Sequence, residues 1–426
     1  MLENFLETPF FSFKFKNFKG YFSLLYITKG FLIALLLSLF IYLQYFGIND
    51  KTILNIITSI SALVGFYFLL KEDKKTLFWS GFFIGFLWFY WIGFSFRFFD
   101  FSFVIPIMIL FVNTLYGVLF MLIGVLKKSY LRAIIFLVFG YFAPLGYNWF
   151  VPEVILIDSF FDFTKIKFAL FLLSLVFIIE FKKQYKLLFI IPLLLSIRYE
   201  DINLPLSKQK IYLSNDKIPQ REKWTPEYKN TLVKMNFKTI EKAIDEKYDI
   251  VLLSESVFAM YLNMEAPILE KLKLLSHKIT IVAGSLYFDN VNSYNSTYYF
   301  IKGEFYIANK MVLVPFSEEI PLLPKFITNS INDYFFNGAQ DYKRAKKPTD
   351  IPINGEVFRN AICYEATSQE LFENNPKFML AMSNNAWFDP SIEPTLQKLL
   401  MRFYSRLHYT TIYHSANGGK SEVVRF

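Results

Sequence analysis

Cysteine is almost absent from this chain: Cys363 is the only one in 426 residues. That excludes an internal disulfide framework, even for a segment facing an oxidising compartment, and any cysteine-rich zinc site. Also missing is a small-x-small cleavage pattern after the first apolar block, which reads that block as an anchor and not as a removed signal. No repeat or low-complexity segment stands out. Acidic residues are in the minority, 36 Asp and Glu against 45 Lys and Arg for a net charge of +9. Much of the excess lies in short loops between apolar blocks, where it sets membrane orientation, so nucleic acid is not expected as a partner.

What the chain has in abundance is apolar surface, with 54% hydrophobic content and 52 Phe. The apolar residues form long blocks over 24–197, whereas 208–426 reads as an ordinary globular sequence. This predicts a membrane domain over 1–198 and a water-exposed domain over 208–426. Crossing the hydrocarbon core takes about 20 mostly apolar residues. Candidate spans are 30–46, 53–70, 77–96, 104–126, 131–150, 168–181 and 187–197, about seven helices; the last two are short and are separated by Lys182, Lys183 and Lys186. Alternate loops differ in charge. Lys14, Lys16, Lys19 and Lys29, then Lys71, Lys74 and Lys75, then Lys127, Lys128 and Arg132, then the 182–186 lysines mark one side. The intervening loops carry only Lys51, Arg97, and Lys165 with Lys167 beside Glu153, Asp158 and Asp162. Positive loops stay cytoplasmic, so the N-terminus is expected in the cytoplasm and, with an odd number of spans, the globular half outside it.

In the globular half short apolar runs alternate with amphipathic stretches, the pattern of an α/β fold. Strands are expected at 210–214, 249–253, 279–283, 357–362, 378–382 and 409–414. Helices are expected at 228–247, with Leu232, Met235, Ile240, Ala243 and Ile244 on one face, and at 266–277 and 394–407, with a hairpin turning at Gly303-Glu304. Three polar residues fall just past strand ends, where such folds place their chemistry: Glu255, Lys310 and Cys363. A thiol becomes a strong nucleophile once a base takes its proton or a cation steadies the thiolate. A carboxylate and a lysine beside it supply both, and the lysine can also hold an oxyanion. Taken singly, each has a plainer reading: a buried packing cysteine, a solvated turn glutamate, a surface lysine.

Their local contexts resemble the nitrilase (carbon-nitrogen hydrolase) superfamily and, more closely, the apolipoprotein N-acyltransferase family. The most specific segment is Asn309-Lys310-Met311-Val312-Leu313-Val314-Pro315-Phe316-Ser317-Glu318. Cys363-Tyr364-Glu365 is similar to the nucleophile motif, and Ser383-Asn384-Asn385-Ala386-Trp387-Phe388 to the segment downstream of it. Pro219-Gln220 with Lys223-Trp224, and Tyr294-Asn295-Ser296, fit further family positions, and weaker support comes from 79–97 and Leu145-Gly146-Tyr147. The chain departs from the pattern in three ways. Ser254-Glu255-Ser256 replaces a Trp-Pro-Glu, Ser317 replaces a Gly, with Glu319 adjoining Glu318, and no apolar segment follows the domain where relatives typically carry a further membrane helix.

The resemblance implies a nitrilase-like αββα four-layer sandwich on the non-cytoplasmic side of a bacterial inner membrane, and no cofactor or metal. It implies a Glu255-Lys310-Cys363 triad, with Cys363 taking an acyl chain from a phospholipid as a thioester. The amine of a diacylglyceryl-modified apolipoprotein N-terminus then accepts that chain. Glu318, Tyr364 and Glu365 would support the triad, or merely hydrogen-bond around it. Trp224, Asn295, Asn384 and Trp387 are the candidate substrate-binding residues, the two tryptophans lining an acyl pocket or simply packing. Apolar stretches at 257–262 and 321–336, the latter with Phe326, Tyr334, Phe335 and Phe336, are candidate mobile arms at the bilayer surface, or core. Three other readings stay open: a membrane-tethered amidase at the same triad; a transporter or sensor with an inactive external domain, against which few charges lie within the spans; and a Cys-His hydrolase using His408 or His414, although His414 and His277 read as structural.

Overall fold

The computed structural model describes residues 20–200, 202–314, 318 and 342–426. The expected arm at 321–336 and the 315–317 part of the lysine motif lie outside the described residues. The first half is helical: α1 (Leu24–Tyr45), α2 (Lys51–Lys71), α3 (Lys74–Phe89), α4 (Val104–Val125), α5 (Ser129–Phe139), α6 (Lys165–Glu180) and the short α7 (Ile190–Leu195). Among the described residues, α1, α2 and α4 are long and apolar enough to cross a membrane. The expected 77–96 and 131–150 stretches are broken: α3 and α5 stop early and give way to 3-10 turns at Phe94–Phe98 and Pro144–Gly146. The 187–197 stretch folds as part of a 3-10 turn, Lys183–Phe189, followed by α7. Six α-helical residues rise only about 9 Å, and Ile197 is drawn back into a bridge with Phe161.

Local chemistry sets the helix ends and crossings. Asp50 caps α2 by accepting from the Ile53 N–H, and Asp73 caps α3 by accepting from Lys75 and Thr76. Helices α3 and α4 approach closely through Gly81 and Gly85. A Cβ at these positions would stand 2.2 Å from the Tyr116 carbonyl oxygen and 2.8 Å from Asn113 Cα, the small-residue contact by which helices pack within a bilayer. The basic loops converge on one end of the bundle, where Lys29 pairs with Glu72 at 3.1 Å. At the same end Arg132 donates to the Leu70 and Glu72 carbonyls and Ser129 to Glu180. The opposite end meets the second half: Arg97 donates to the Trp387 and Asp389 carbonyls at 3.3 and 2.8 Å.

The second half runs β1 (Ile211–Leu213), β2 (Asn215–Asp216), α8 (Gln220–Lys223), α9 (Pro226–Asp245), β3 (Ile250–Leu252), β4 (Phe258–Tyr261), α10 (Ala266–Leu275), β5 (Thr280–Phe288), β6 (Ser293–Ile301), β7 (Glu304–Asn309), β8 (Asp350–Ile353), β9 (Glu356–Ile362), β10 (Phe378–Asn384), α11 (Glu393–His408), β11 (Thr411–Asn417) and β12 (Glu422–Val424). Among the described residues these strands form two six-stranded sheets, ordered β1-β3-β5-β6-β7 with β4 on β5, and β12-β11-β10-β9-β8 with β2 on β11. The period-2 alternation of strands sorts their faces. Ile250, Leu252, Val282 and Tyr299 pack against Phe358, Ile362, Leu380 and Met382 between the sheets. Val251, Ile281 and Phe300 point the other way, onto Leu232, Ile240, Leu269 and Leu272 of α9 and α10. On the far side Leu396 and Leu400 of α11 cover Ala361, Met379 and Ala381. The result is the helix-sheet-sheet-helix sandwich that the motifs imply.

Two details differ from the periodicity reading. On α9 the buried face is Leu232, Asn236, Phe237, Ile240 and Ala243, while Met235 is exposed, because Asn236 is drawn inward to donate to the Val257 carbonyl. The 257–262 stretch is no arm. It contains β4, paired with β5, and Val257, Phe258 and Leu262 are fully buried.

The core does not stop at the domain boundary. A single apolar cluster runs from α1 through α6 into the α11 layer. Arg402 pairs with Asp158 at 2.8 Å and Arg406 with Asp162 at 2.5 Å, both carboxylates belonging to the membrane half.

Candidate active site

Three strand ends carry the three expected residues to one place. Cys363 follows β9 at φ +54, a left-handed conformation that a residue with a side chain rarely adopts. Glu255 leaves β3 just before Ser256, which is also left-handed at φ +48. The turn carrying Glu255 lies so close to β5 that a Cβ at Gly284 would fall 2.5 Å from the Ser256 nitrogen and 2.8 Å from Glu255 Cα. Lys310 follows β7 and is fully buried.

Lys310 Nζ stands 2.7 Å from Glu318 and 3.9 Å from Glu255. Asn295 ties the two carboxylates together, its Nδ2 donating to Glu255 at 2.9 Å and to Glu318 at 2.8 Å. Glu318 is the nearer carboxylate and is directly ion-paired with the ammonium. Burial pulls the Lys310 ammonium down, but Glu318, Glu255 and Cys363 outweigh it and hold it above its ordinary value. Burial and then the Glu255 carboxylate push the Cys363 thiol well up, with Lys310 pulling it back. The resting pair is therefore a protonated thiol and a charged lysine, and the nucleophile forms only when a base removes the thiol proton.

Glu365 joins the loops of nucleophile and lysine. One carboxylate oxygen accepts from the Ile362 N–H at 2.7 Å, and the other from the Met311 and Val312 N–H groups at 2.8 and 3.1 Å. Burial lifts this carboxyl from 4.5 to about 7. Tyr364 faces the membrane half, donating to Asn148 Oδ1 at 2.7 Å and stacking on Tyr147 at 5.5 Å between ring centroids. Cys363 opens into a largely apolar cleft at the seam between the halves. Trp91, Phe96, Tyr147 and Trp149 of the membrane half line it together with Tyr364, Phe388 and Glu393.

The candidate binding residues divide. Asn295 is in the site. Asn384 is buried between Gln220 and Asn417. Trp387 stacks on Phe99 of the membrane half at 5.8 Å. Trp224 is 41% exposed and does not line the cleft; it is the preceding Lys223, fully buried, that reaches inward, donating to the Glu255 carbonyl at 2.9 Å. Burial pushes Lys223 down to about 8. Neither histidine serves the thiol. His414 is hydrogen-bonded to Ser383 inside β11, and His408 to Gln369 and Asn375.

Sequence reasoning missed a further set. Glu393 opens α11 and is buried in the cleft wall, with its carboxyl lifted by burial to about 8. Asn385 Nδ2 donates to Glu393 at 2.7 Å and to Gln397 at 3.0 Å. A carboxylate four residues before a glutamine at a helix start was the only signal in the chain for that pairing.

Comparisons with known proteins agree with this architecture. Residues 24–199 match the family model described as the apolipoprotein N-acyltransferase integral membrane domain. The apolipoprotein N-acyltransferase of Wolinella succinogenes is 41% identical over 393 residues, covering 92% of this chain and 94% of its own. That of Campylobacter jejuni is 35% identical over 99% of this chain and 94% of its own. Among solved structures, a CN-hydrolase superfamily protein from Xanthomonas campestris overlays 50% of this chain and 77% of its own, with a TM-score of 0.37 and 12% identity, too loose for anything to be drawn from it.

Proposed function

This chain belongs to the apolipoprotein N-acyltransferase family, and from that premise we propose that it moves an acyl chain from a membrane phospholipid to the N-terminal diacylglyceryl-cysteine of an apolipoprotein through a thioester on Cys363. The observation that carries this reading is the placement of the thiol: it opens onto an apolar cleft whose far wall is built from aromatic residues of the membrane half. A lipid chain entering from the bilayer meets that wall and the sulfur together, and the same wall keeps water from the thioester.

In the first half-reaction Glu255 accepts the thiol proton and Sγ attacks the ester carbonyl. The oxyanion is received by Lys310, whose buried ammonium is held charged by Glu318 and Glu255. Collapse expels the lysophospholipid alkoxide, which takes the proton from Glu255, and leaves the acyl group on sulfur. In the second, Glu255 accepts a proton from the acceptor amine as it attacks the thioester carbonyl, and Sγ leaves and is reprotonated. Glu318 and Asn295 hold Glu255 and Lys310 in register, and Glu365 holds the lysine loop against the nucleophile loop. One cleft serves both substrates in turn, which gives ping-pong kinetics.

Residues 1–198 and 208–426 are taken as the membrane and catalytic domains. The basic loops gather at the end of the bundle away from the catalytic half, which supports a cytoplasmic basic end and a catalytic half on the outer, periplasmic side of an inner membrane. The test is to incubate purified protein with phospholipid carrying a labelled acyl chain and to map the adduct by mass spectrometry. A thioester on Cys363, absent from Cys363→Ala and discharged by a diacylglyceryl-cysteine peptide, is expected. Folded protein that forms no adduct but hydrolyses small amides would replace this reading with a tethered amidase.

A further inference from the structure

Outside the triad, one buried polar chain ends on the nucleophile and has no part in the steps above. Glu393, Asn385 and Gln397 are each 1% exposed, so their hydrogen bonds are settled by one another and not by water. Asn385 comes from the turn after β10, and the other two from the first two turns of α11. Asn385 Nδ2 donates to Glu393 and to Gln397 Oε1. With its oxygen taken by Asn385, the Gln397 amide has only one way to face: its Nε2 points at Cys363 Sγ, 4.0 Å away. An amide free to rotate would offer sulfur its oxygen as readily as its nitrogen. Here the polarity runs back through Asn385 to Glu393, two hydrogen bonds away.

We propose that Gln397 is a further catalytic residue, donating an N–H to Cys363 Sγ when the sulfur is a thiolate, and that Asn385 and Glu393 are positioning residues that fix the direction of that donor. The donor acts twice in the reaction argued above, on which this inference rests. It stabilises the thiolate that attacks the ester, and again the thiolate that leaves when the amine takes the acyl group. In the resting structure the contact is long, as such contacts are before the charge they serve has formed. The charged and titratable groups acting on the sulfur include Glu255, Lys310, Glu393 and Glu318, with Tyr147 facing it from the membrane half. Lys310 is the only cation among them, so a neutral N–H from Gln397 adds to it against three carboxyl groups.

The test uses the chain's single cysteine, since alkylation by iodoacetamide, read by intact mass, reports Cys363 alone and needs no acyl donor. The alkylation rate is followed from pH 6 to 10 for the full-length protein in detergent and for Gln397→Leu, Gln397→Glu, Glu393→Gln and Glu393→Leu. Loss of one hydrogen bond to a charged group predicts that Gln397→Leu is alkylated about tenfold more slowly at pH 8, its profile moved to higher pH. Gln397→Glu, which turns a carboxylate toward sulfur, moves further. Glu393→Gln keeps an acceptor for Asn385 while removing a carboxyl that raises the thiol, so its profile moves to lower pH, whereas Glu393→Leu also releases Asn385 and lies at higher pH than Glu393→Gln. A Gln397 variant that elutes and melts like wild type and keeps the wild-type profile overturns the proposal. If Gln397→Leu does not fold, an unmoved profile in Gln397→Glu does the same. Moved profiles in a protein that never acylates Cys363 from phospholipid would sink the acyl-transfer reading and leave this one standing. Acyl transfer with unmoved profiles sinks this one alone.

Discussion

Glu365 offers a test in which stability and activity move in opposite directions. The carboxylate accepts three backbone N–H groups, from Ile362 on one side and from Met311 and Val312 on the other. A glutamine fills the same volume but accepts at one end only, so Glu365→Gln sets an NH2 against at least one of these donors. The nucleophile loop and the lysine loop then lose their common anchor, and a displacement of about 1 Å at a reacting group costs on the order of 10²-fold in rate. The stability account runs the other way. Burial lifts the folded carboxyl from 4.5 to about 7, so between those pH values the folded protein holds a proton that the unfolded chain has released. Stability is therefore lost as pH rises through that window, and above it the ionised side chain costs roughly 3 kcal/mol. Glu365→Gln never ionises. At pH 8 it is expected to melt above wild type while acylating Cys363 about 10²-fold more slowly, and by pH 4.5 the melting difference is expected to vanish. Melting in detergent at pH 5 and pH 8, beside single-turnover acylation at pH 8, decides it. A variant that acylates at the wild-type rate, or melts below wild type at pH 8, refutes the reasoning.

Lys310→Met removes the oxyanion donor and the one cation that pulls the thiol down. Acyl-enzyme formation is expected to fall by about 10²- to 10³-fold, with iodoacetamide labelling of Cys363 slowed as well; labelling at the wild-type rate would deny the lysine its effect on the thiol. Gly284→Ala places a Cβ 2.5 Å from the Ser256 nitrogen and is expected to displace Glu255, lowering kcat with little change in phospholipid binding. His408→Ala and His414→Gln are expected to keep acyl transfer, since His414 is bound to Ser383 and His408 to Gln369 and Asn375; loss of turnover in a folded variant would point to a histidine base.

The meeting of Glu255, Lys310 and Cys363 was legible because each follows a strand and because Lys310 and Cys363 stand in distinctive local motifs, while Glu255, whose surroundings depart from the family pattern, was placed by its strand and its order in the chain. Residues whose role depends on direction were less legible. Val257 to Leu262 has the composition of a membrane-dipping arm and of a buried strand alike, and only pairing with β5 decides between them. Trp224 looked like a pocket wall, yet Lys223 beside it turns inward, because the short α8 presents one face only. Trp387 and Asn384 belong to a motif downstream of the nucleophile, yet Trp387 stacks on Phe99 and Asn384 is bonded to Gln220 and Asn417. The Asn385, Glu393 and Gln397 chain left only the Glu393 to Gln397 spacing as a signal, because it forms where the end of β10 meets the start of α11, a contact that tertiary packing creates. The broken helices after α3 and α5 were read as continuous spans because hydropathy measures how apolar a segment is, and 3-10 turns such as Phe94–Phe98 and Pro144–Gly146 sit within stretches as apolar as helices.

Helix α11 stands with its first turns beside the thiol, through Gln397, and its later turns joined to the membrane half, through Arg402 on Asp158 and Arg406 on Asp162. For anyone wishing to work with the catalytic half alone, this is an obstacle. A water-soluble fragment would lift both guanidinium groups off their carboxylates and strip the covering from Phe403, whose ring lies 5.3 Å from that of Phe163. The same joint forbids free exchange of modules over evolutionary time. A membrane half from one lineage grafted onto a catalytic half from another would need its acidic partners in register along one helix to remake these two pairs.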